Sequence, residues 1–193
     1  IEGNQENPSL LLNSHMDTVP PGDLKQWKVD PFLGIVENGF IYGRGAGDDK
    51  GSVCAQVMAA TIIKRTCIIP NRTLFIKPIA DEEQQGWRCS RWIVDHRILN
   101  PQMAIIGEQT NNKVAIGERG IFFSEINIKG RAAHGAMPWA GNNAISRMFD
   151  FVFSLKSELV PELKENQHPY LPPTTISTNT IYGGNRTEII AED

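Results

Sequence analysis

The sequence predicts an α/β protein with a mostly parallel sheet and helices on both faces, followed by part of a second, smaller α+β domain. Two observations support this fold class. Apolar segments of strand length alternate with helical segments as far as Ile106, which is typical of parallel sheets. The pattern changes near Gly117, so we assign residues 1–117 to the first domain and residues 118–193 to the second.

Three short apolar runs are predicted as buried strands of the first domain, namely residues 9–13, 73–79 and 103–106. A β-hairpin is predicted between the first and second of these strands. Its two halves, residues 34–36 and 40–42, flank the dipeptide Asn38-Gly39. Asn-Gly between apolar runs favours a type I′ turn.

Two helices are predicted between these strands. Residues 52–64 are expected to be helical because Val53, Val57, Ala60 and Ile63 recur at helical spacing. Residues 90–98 form the second predicted helix. Strands that alternate with helices in this order favour a parallel sheet, in which ligands bind outside the carboxyl ends of the strands.

The second domain is predicted to contain a strand, a helix and another strand. Residues 122–129 alternate partly between apolar and polar, as in a half-solvated strand. Residues 143–159 have a helical pattern that we expect to end before Pro161. Residues 174–182 are rich in β-branched side chains and predict a strand. We expect the end of this domain beyond Asp193.

The composition is that of an ordinary globular protein, with 40% hydrophobic and 21% charged residues. The net charge of −3 indicates neither nucleic acid nor an anionic membrane as a partner. No apolar run approaches the ~18 residues of a membrane-spanning helix. Cys54, Cys67 and Cys89 are far apart, so we expect free, buried thiols and a reducing, cytoplasmic compartment.

Side chains that ligate metals or transfer protons follow each of the three predicted parallel strands and also occupy the glycine-rich turn before the first helix. In chain order they are His15, Asp17, Asp48, Asp49, Glu82, Glu83 and Glu108. Because the carboxyl ends of parallel strands meet at one edge of a sheet, we expect these groups to converge there.

A crowd of carboxylates cannot remain ionised unless a cation is present. Oxygen-only ligand sets suit Mg²⁺ or Ca²⁺, whereas His15 beside carboxylates favours zinc, cobalt or manganese. One carboxylate shared by two ions would hold them about 3.5–4 Å apart. Each motif alone is also compatible with a surface histidine or a solvated acidic pair, and only their joint placement favours a metal site.

The motifs SHMDTVPPGD with WKVDPF, GRGAGDDKG, ADEE and IGE occur in that order. Over residues 10–145 they resemble the zinc-dependent acetylornithine deacetylase, succinyl-diaminopimelate desuccinylase, aminoacylase and carboxypeptidase G family. The resemblance implies a zinc-exopeptidase-like catalytic domain with two Zn²⁺ ions, and an inserted, incomplete ferredoxin-like lid domain. Co²⁺ or Mn²⁺ is an alternative metal.

The resemblance also implies a role for each matching residue. The implied metal ligands are His15 and Glu108 for the first zinc, Glu83 for the second, and Asp48 as the carboxylate that bridges both. Glu82 matches the general base, and Asp17 matches the partner that orients the ring of His15. Asp49 occupies a variable position.

The segment KGRAAHGAMPWAGNNAI resembles the lid motif of the family, and His134 matches its substrate-binding histidine. The resemblance implies a homodimer through the lid, in which this histidine reaches the partner's active site. The family's last zinc ligand, a histidine, has no match after Glu108, so we expect it beyond Asp193. An Asn-x-Ile-Pro stretch of the lid is also replaced, by residues 188–191.

The expected function is that of a metal-dependent amidohydrolase that removes an acyl group from an N-acyl amino acid. The segments Gly117-Glu118-Arg119-Gly120 and PPGD resemble the deacetylase and desuccinylase branch. A dipeptidase or carboxypeptidase of the same family is an alternative. A second alternative is a non-catalytic module that binds a metal or an amino acid.

Overall fold

A parallel sheet organises the first part of the chain. The computed structural model describes all of residues 1–193 and divides into two units, Ile1–Val114 and Ala115–Asp193. The first unit contains, in chain order, β1 (Gln5–His15), β2 (Ile35–Glu37), β3 (Phe40–Tyr42), α1 (Gly51–Arg65), β4 (Arg72–Ile79), α2 (Ser90–Asp95) and β5 (Met103–Ile106). The mixed α/β class with a parallel sheet is therefore confirmed.

β1 is the central strand of a three-stranded sheet with the order β4-β1-β5. Both of its neighbours run parallel to it, and His15 at its end is aligned with Ile79 of β4. Asn13 is aligned with Ile106 of β5, and the backbone N–H of Gly107 donates to the carbonyl of Asn13 at 2.7 Å. The carboxyl ends of all three strands therefore lie at one edge of the sheet.

The small apolar core of this unit lies where α1 packs against β1 and β4, and it includes the buried side chains of Leu11, Leu74 and Ile79. The prediction that β5 is buried is wrong, because Ile105 and Ile106 are more than half exposed. β5 is an edge strand, and none of the helices covers its apolar side chains. Helices on both faces of the sheet are not observed, since only α1 packs extensively on it.

The cysteines are free, but the prediction that they are buried is wrong. Cys54 and Cys67 are exposed and Cys89 is half-buried. Cys54 belongs to the exposed side of α1, whereas Val53 and Ile63 of the same helix are half-buried. Cys67 follows the end of α1 in a left-handed conformation, with a φ of 54°.

The predicted hairpin is confirmed, since β2 and β3 pair antiparallel with Glu37 opposite Phe40. Asn38 and Gly39 have φ values of 51° and 81°, and a type I′ turn requires positive φ at both central residues.

α2 is shorter than predicted and ends at Asp95 instead of residue 98. Arg97 adopts a left-handed conformation with a φ of 51°, and the N–H of Ile98 donates to the carbonyl of Ile93. This arrangement satisfies free carbonyl groups at a helix C-terminus and ends the helix.

The second unit contains α3 (Ala144–Ser154), a wider π-type turn (Leu155–Leu159) and α4 (Val160–Glu165). The prediction that the helix stops before Pro161 is wrong, because Pro161 lies in the first turn of α4. Proline is tolerated there, since a first-turn N–H has no partner within its own helix. None of the helices of the chain is both long and apolar enough to cross a membrane.

The strands predicted for residues 122–129 and 174–182 are absent. Isolated bridges join Arg131 to Asn142 and His134 to Ile189. β-Branched composition favours an extended backbone, but a strand also needs a partner that satisfies its N–H and C=O groups. The two segments do not pair with each other, so the ferredoxin-like lid is not confirmed.

Candidate metal centre

His15 lies at the carboxyl end of β1 and is almost completely buried, with 2% of its surface exposed. Its backbone N–H donates to Asp49 Oδ2 at 3.2 Å. The next residue, Met16, donates its N–H to the carbonyl of Ile79 at 2.7 Å, which extends the pairing with β4. The backbone at His15 is therefore held from both sides at the edge of the sheet.

The two ring nitrogens of His15 have different partners. Nδ1 lies 2.9 Å from the backbone carbonyl of Asp17, so this nitrogen carries a proton and donates it. Nε2 lies 2.8 Å from Asp48 Oδ1. Burial alone would lower the pKa of His15, but the hydrogen bonds to Asp48 and to the Asp17 carbonyl, together with the negative charge of Glu82, raise it above 6.5.

Glu108 completes a cluster of three metal-binding side chains. One ligand atom each of His15, Asp48 and Glu108 lies within 4.8 Å of the others. Burial raises the pKa of Glu108 above its usual range, and the nearby charges of Asp49, Asp48 and Glu82 raise it further, against the opposing effect of His15. A cation between these groups would relieve the repulsion, and one imidazole with two carboxylates fits a zinc-type ion.

The turn Ala46–Lys50 presents its two carboxylates to different surroundings. Asp48 and Asp49 leave helical geometry there, with φ values of −120° and −130°. The Asp48 side chain is 47% exposed and faces His15, whereas Asp49 is fully buried. Asp49 Oδ1 has no hydrogen-bond partner, as expected for a buried acceptor near a cation site. No sequence motif indicates the contact between Asp49 and the backbone N–H of His15.

Glu82 lies in a short loop after β4 that forms the 3₁₀ turn Glu82–Gln84. Its Oε2 atom is 4.0 Å from Nε2 of His15. Burial raises the pKa of Glu82; the charge on His15 lowers it, and the charges of Glu83, Asp17 and Asp48 raise it. A carboxylate with a raised pKa is a stronger base, which suits proton transfer near neutral pH.

Asp17 contacts His15 differently from the expected manner. Its carboxylate is 3.5 Å from Nδ1, beyond a good hydrogen bond, and its backbone carbonyl is the partner that orients the ring. The carboxylate instead accepts the backbone N–H groups of Glu82 at 3.2 Å and Glu83 at 3.1 Å. Asp17 therefore fixes the loop that carries Glu82.

Glu83 and His134 lie outside the three-residue cluster. Glu83 Oε1 accepts the backbone N–H of Val19 at 3.2 Å. His134 belongs to the second unit, where it is exposed and its Nδ1 accepts the N–H of Ala136 at 3.1 Å. Sequence reasoning missed Gln109, whose Nε2 donates to Asp48 Oδ2 at 3.1 Å. Its position directly after Glu108 was the available signal.

The chain is similar in sequence to a known protein family and to proteins of known sequence. Residues 11–183 match peptidase family M20/M25/M40. The chain is 34% identical to succinyl-diaminopimelate desuccinylase of Coxiella burnetii over 152 residues, which cover 75% of this chain and 41% of that protein. It is 31% identical to an uncharacterized metallohydrolase of Methanocaldococcus jannaschii over 180 residues, which cover 90% of this chain and 44% of that protein.

A crystal structure of a tripeptidase from Staphylococcus aureus has a similar fold, with a TM-score of 0.56 and 21% sequence identity. The similarity covers all of this chain and 48% of that one. The chain thus spans less than half the length of the relatives it matches. The resemblance drawn from the motifs is confirmed at the level of the family, and the chain belongs to peptidase family M20/M25/M40.

Proposed function

We propose that the whole protein is a metal-dependent amidohydrolase that removes an acyl group from an N-acyl amino acid. The observation that carries this proposal is the cluster of His15, Asp48 and Glu108, whose ligand atoms lie within 4.8 Å of one another. Glu82, a carboxylate with a raised pKa, lies beside this cluster.

The proposed cofactor is Zn²⁺, two ions per active site in the intact enzyme, with Co²⁺ or Mn²⁺ as substitutes. Zinc supplies Lewis acidity towards water and towards the carbonyl of the scissile bond. His15, Asp48 and Glu108 would hold the first ion, and Asp48 with Glu83 would hold the second. Glu83 lies outside the cluster, so a second ion would need a ligand that the cluster does not contain. Metal analysis of the protein tests this point, because the amidohydrolase would bind two ions and a non-catalytic module would bind one.

Glu82 is proposed as the general base. Its Oε2 atom faces the cluster, and the loop that carries it is held by the carboxylate of Asp17. Glu82 would accept a proton from the attacking water and pass it to the leaving amine. The adjacent Glu83 would not compete for this role, since its charge would be neutralised by metal.

The first prediction tests this role with Glu82→Gln, which retains the shape of the side chain and removes its basicity. We expect kcat for hydrolysis to fall by at least about 100-fold, the usual contribution of a general base. Metal content, measured by elemental analysis, should stay at the wild-type value. Glu37→Gln, in the exposed hairpin, is the matched control. Wild-type activity in Glu82→Gln would exclude Glu82 as the general base.

The acyl-amino-acid substrate is supported by the desuccinylase relative and by the motifs at residues 117–120 and 20–23. A dipeptidase or carboxypeptidase is the second candidate, supported by membership of a peptidase family. A panel that compares N-acetyl and N-succinyl amino acids with dipeptides separates the two. Faster hydrolysis of dipeptides would contradict the deacylase proposal.

We propose that residues 118–193 belong to a lid and dimerisation domain, that His134 contacts the substrate, and that the enzyme is a cytoplasmic homodimer. Sedimentation velocity of the intact enzyme tests the dimer. His134→Ala should impair hydrolysis without loss of metal, since His134 lies outside the cluster of ligands.

A further inference from the structure

Asp48 is a partly exposed member of the cluster, and little packing restricts its side chain. Its side chain is 47% exposed, and the backbone around it is an irregular turn. A side chain in such a position samples several rotamers unless hydrogen bonds restrict it. The orientation of its carboxylate therefore depends on the groups that contact its two oxygens.

Each oxygen of Asp48 has one such contact, and the two contacts come from the ends of two neighbouring strands, β1 and β5. Oδ1 lies 2.8 Å from Nε2 of His15, which belongs to β1. Oδ2 accepts a hydrogen bond from Nε2 of Gln109 at 3.1 Å. A carboxylate oxygen has two lone-pair sites, so Oδ2 can accept from Gln109 and still bind a cation.

The backbone at Gln109 is fixed by the same features that fix Glu108. Gly107 is tied to Asn13 by a backbone hydrogen bond of 2.7 Å, which prolongs the pairing of β5 with β1. The N–H of Thr110 donates to the carbonyl of Glu108 at 2.9 Å, so the chain turns sharply here. One short segment therefore places the Glu108 carboxylate in the cluster and the Gln109 amide against Asp48.

We infer that Gln109 is a positioning residue that holds the Asp48 carboxylate in its metal-binding orientation. This inference rests on the proposed metal-dependent function. Partners of metal ligands commonly change metal affinity by about 10–100-fold when they are removed. The hydrogen bond from Gln109 is exposed to solvent, so we expect an effect of about tenfold, at the lower end of that range.

The test compares Gln109→Met, which has a similar length and no donor, with the wild-type chain. The probe is Co²⁺ alone, whose affinity is measured by competition with a chelator and whose visible absorption reports its coordination. We expect about tenfold weaker binding and an altered absorption spectrum. Gln26→Met is the matched control, because Gln26 is exposed and lies outside the cluster. Its Co²⁺ affinity should equal that of wild type.

Thermal unfolding of the metal-free variants separates positioning from a general structural role. Gln109→Met should unfold at the wild-type temperature without metal, and Gln109→Asn, whose amide is one methylene too short, should repeat the loss of affinity. Wild-type affinity in both variants would overturn the inference while leaving the proposed function intact. Failure of the wild-type chain to bind Co²⁺ would overturn both.

Discussion

His15 is buried beside several carboxylates, whose mutual repulsion is relieved by binding a cation or protons. Its Nε2 atom faces an oxygen of Asp48, and Glu108 in the cluster and Glu82 beside it both have raised pKa values. Metal and protons therefore compete for the same atoms. The metal-free protein should hold protons there that the unfolded chain releases.

This competition predicts how the stability of the metal-free protein depends on pH. The pKa values of Glu82 and Glu108 lie above 4.5 in the folded state, and that of His15 lies above 6.5. A folded state that binds more protons than the unfolded state loses stability as pH rises. The contribution of each group is present below its ordinary pKa and is lost as pH rises through its raised value.

Thermal unfolding in the presence of a chelator, from pH 4.5 to about pH 8, measures this effect. The unfolding temperature of wild type, relative to Glu82→Gln/Glu108→Gln, should fall as pH rises. The double variant lacks the contributions of the two carboxyl groups, which are lost as pH rises above their ordinary pKa. A difference that grows in favour of wild type with rising pH would contradict the prediction.

Asp17 provides a second prediction at the same scale. Its carboxylate accepts two backbone N–H groups from the Glu82 loop, and its side chain is only 23% exposed. Asp17→Ala should lower the free energy of unfolding by about 1–3 kcal/mol, because two backbone donors lose a charged acceptor.

Urea denaturation measures this loss, and hydrolysis should fall with it because Glu82 is no longer held in place. Asp23→Ala is the control, since the Asp23 carboxylate accepts only the nearby N–H of Lys25. Equal losses of unfolding free energy in the two variants would contradict the predicted stabilisation by the contact between Asp17 and the Glu82 loop.

At the scale of the element, the end of β5 depends on a glycine. A Cβ atom on Gly107 would lie 2.2 Å from Ser14 Oγ and 2.5 Å from Ser52 Cβ. Ser14 is buried and Ser52 lies in the first turn of α1, so neither can move aside easily. Only glycine at position 107 lets the end of β5 approach β1 and α1 closely enough to place Glu108 in the cluster.

Gly107→Ala should therefore destabilise the protein by about 1–3 kcal/mol, the usual result of overpacking, and weaken metal binding. Chemical denaturation and chelator competition measure the two effects. Gly120→Ala is the control, because its added Cβ would meet no atom within 4 Å. A Gly107→Ala variant as stable as Gly120→Ala would contradict the predicted close approach.

The elements that could be predicted from sequence are those whose signal is local. The apolar runs at β1, β4 and β5, the Asn38-Gly39 turn and the spacing within α1 each report a local preference. The exposure of β5 could not be predicted, because it depends on which other elements cover the strand. The prediction of strands in the second unit is wrong for a related reason. A strand needs a pairing partner, and no local sequence pattern specifies that partner.

The site shows the same division. His15 and Glu108 converge because they lie at or just after the ends of parallel strands, and Asp48 joins them from the turn before α1. The family motifs point to the same three positions. The hydrogen bonds of Asp49, Asp17 and Gln109 depend on loop conformation. Strand periodicity says nothing about such conformations.

At the scale of the whole molecule, metal binding should be linked to the stability of the first unit. The cluster joins the end of β1, the turn before α1 and the segment after β5, which are distant in sequence. A ligand that binds only the folded state stabilises it by about 2.7 kcal/mol when its concentration is 100 times Kd.

Adding Zn²⁺ should therefore raise the unfolding temperature of wild type, as measured by differential scanning fluorimetry. His15→Gln should abolish the increase, whereas His96→Gln, at the exposed end of α2, should retain it. An increase that survives His15→Gln would place the ion elsewhere.

The central position of β1 restricts where this protein can gain or lose residues. Successive side chains of a strand point to opposite faces, so one residue inserted between Leu10 and Ser14 would turn the His15 ring away from its partners. Both flanking strands oppose such a shift, since each is hydrogen-bonded to β1. Insertions and deletions that preserve function should therefore fall in the connections, such as residues 20–34, and leave the length of β1 unchanged.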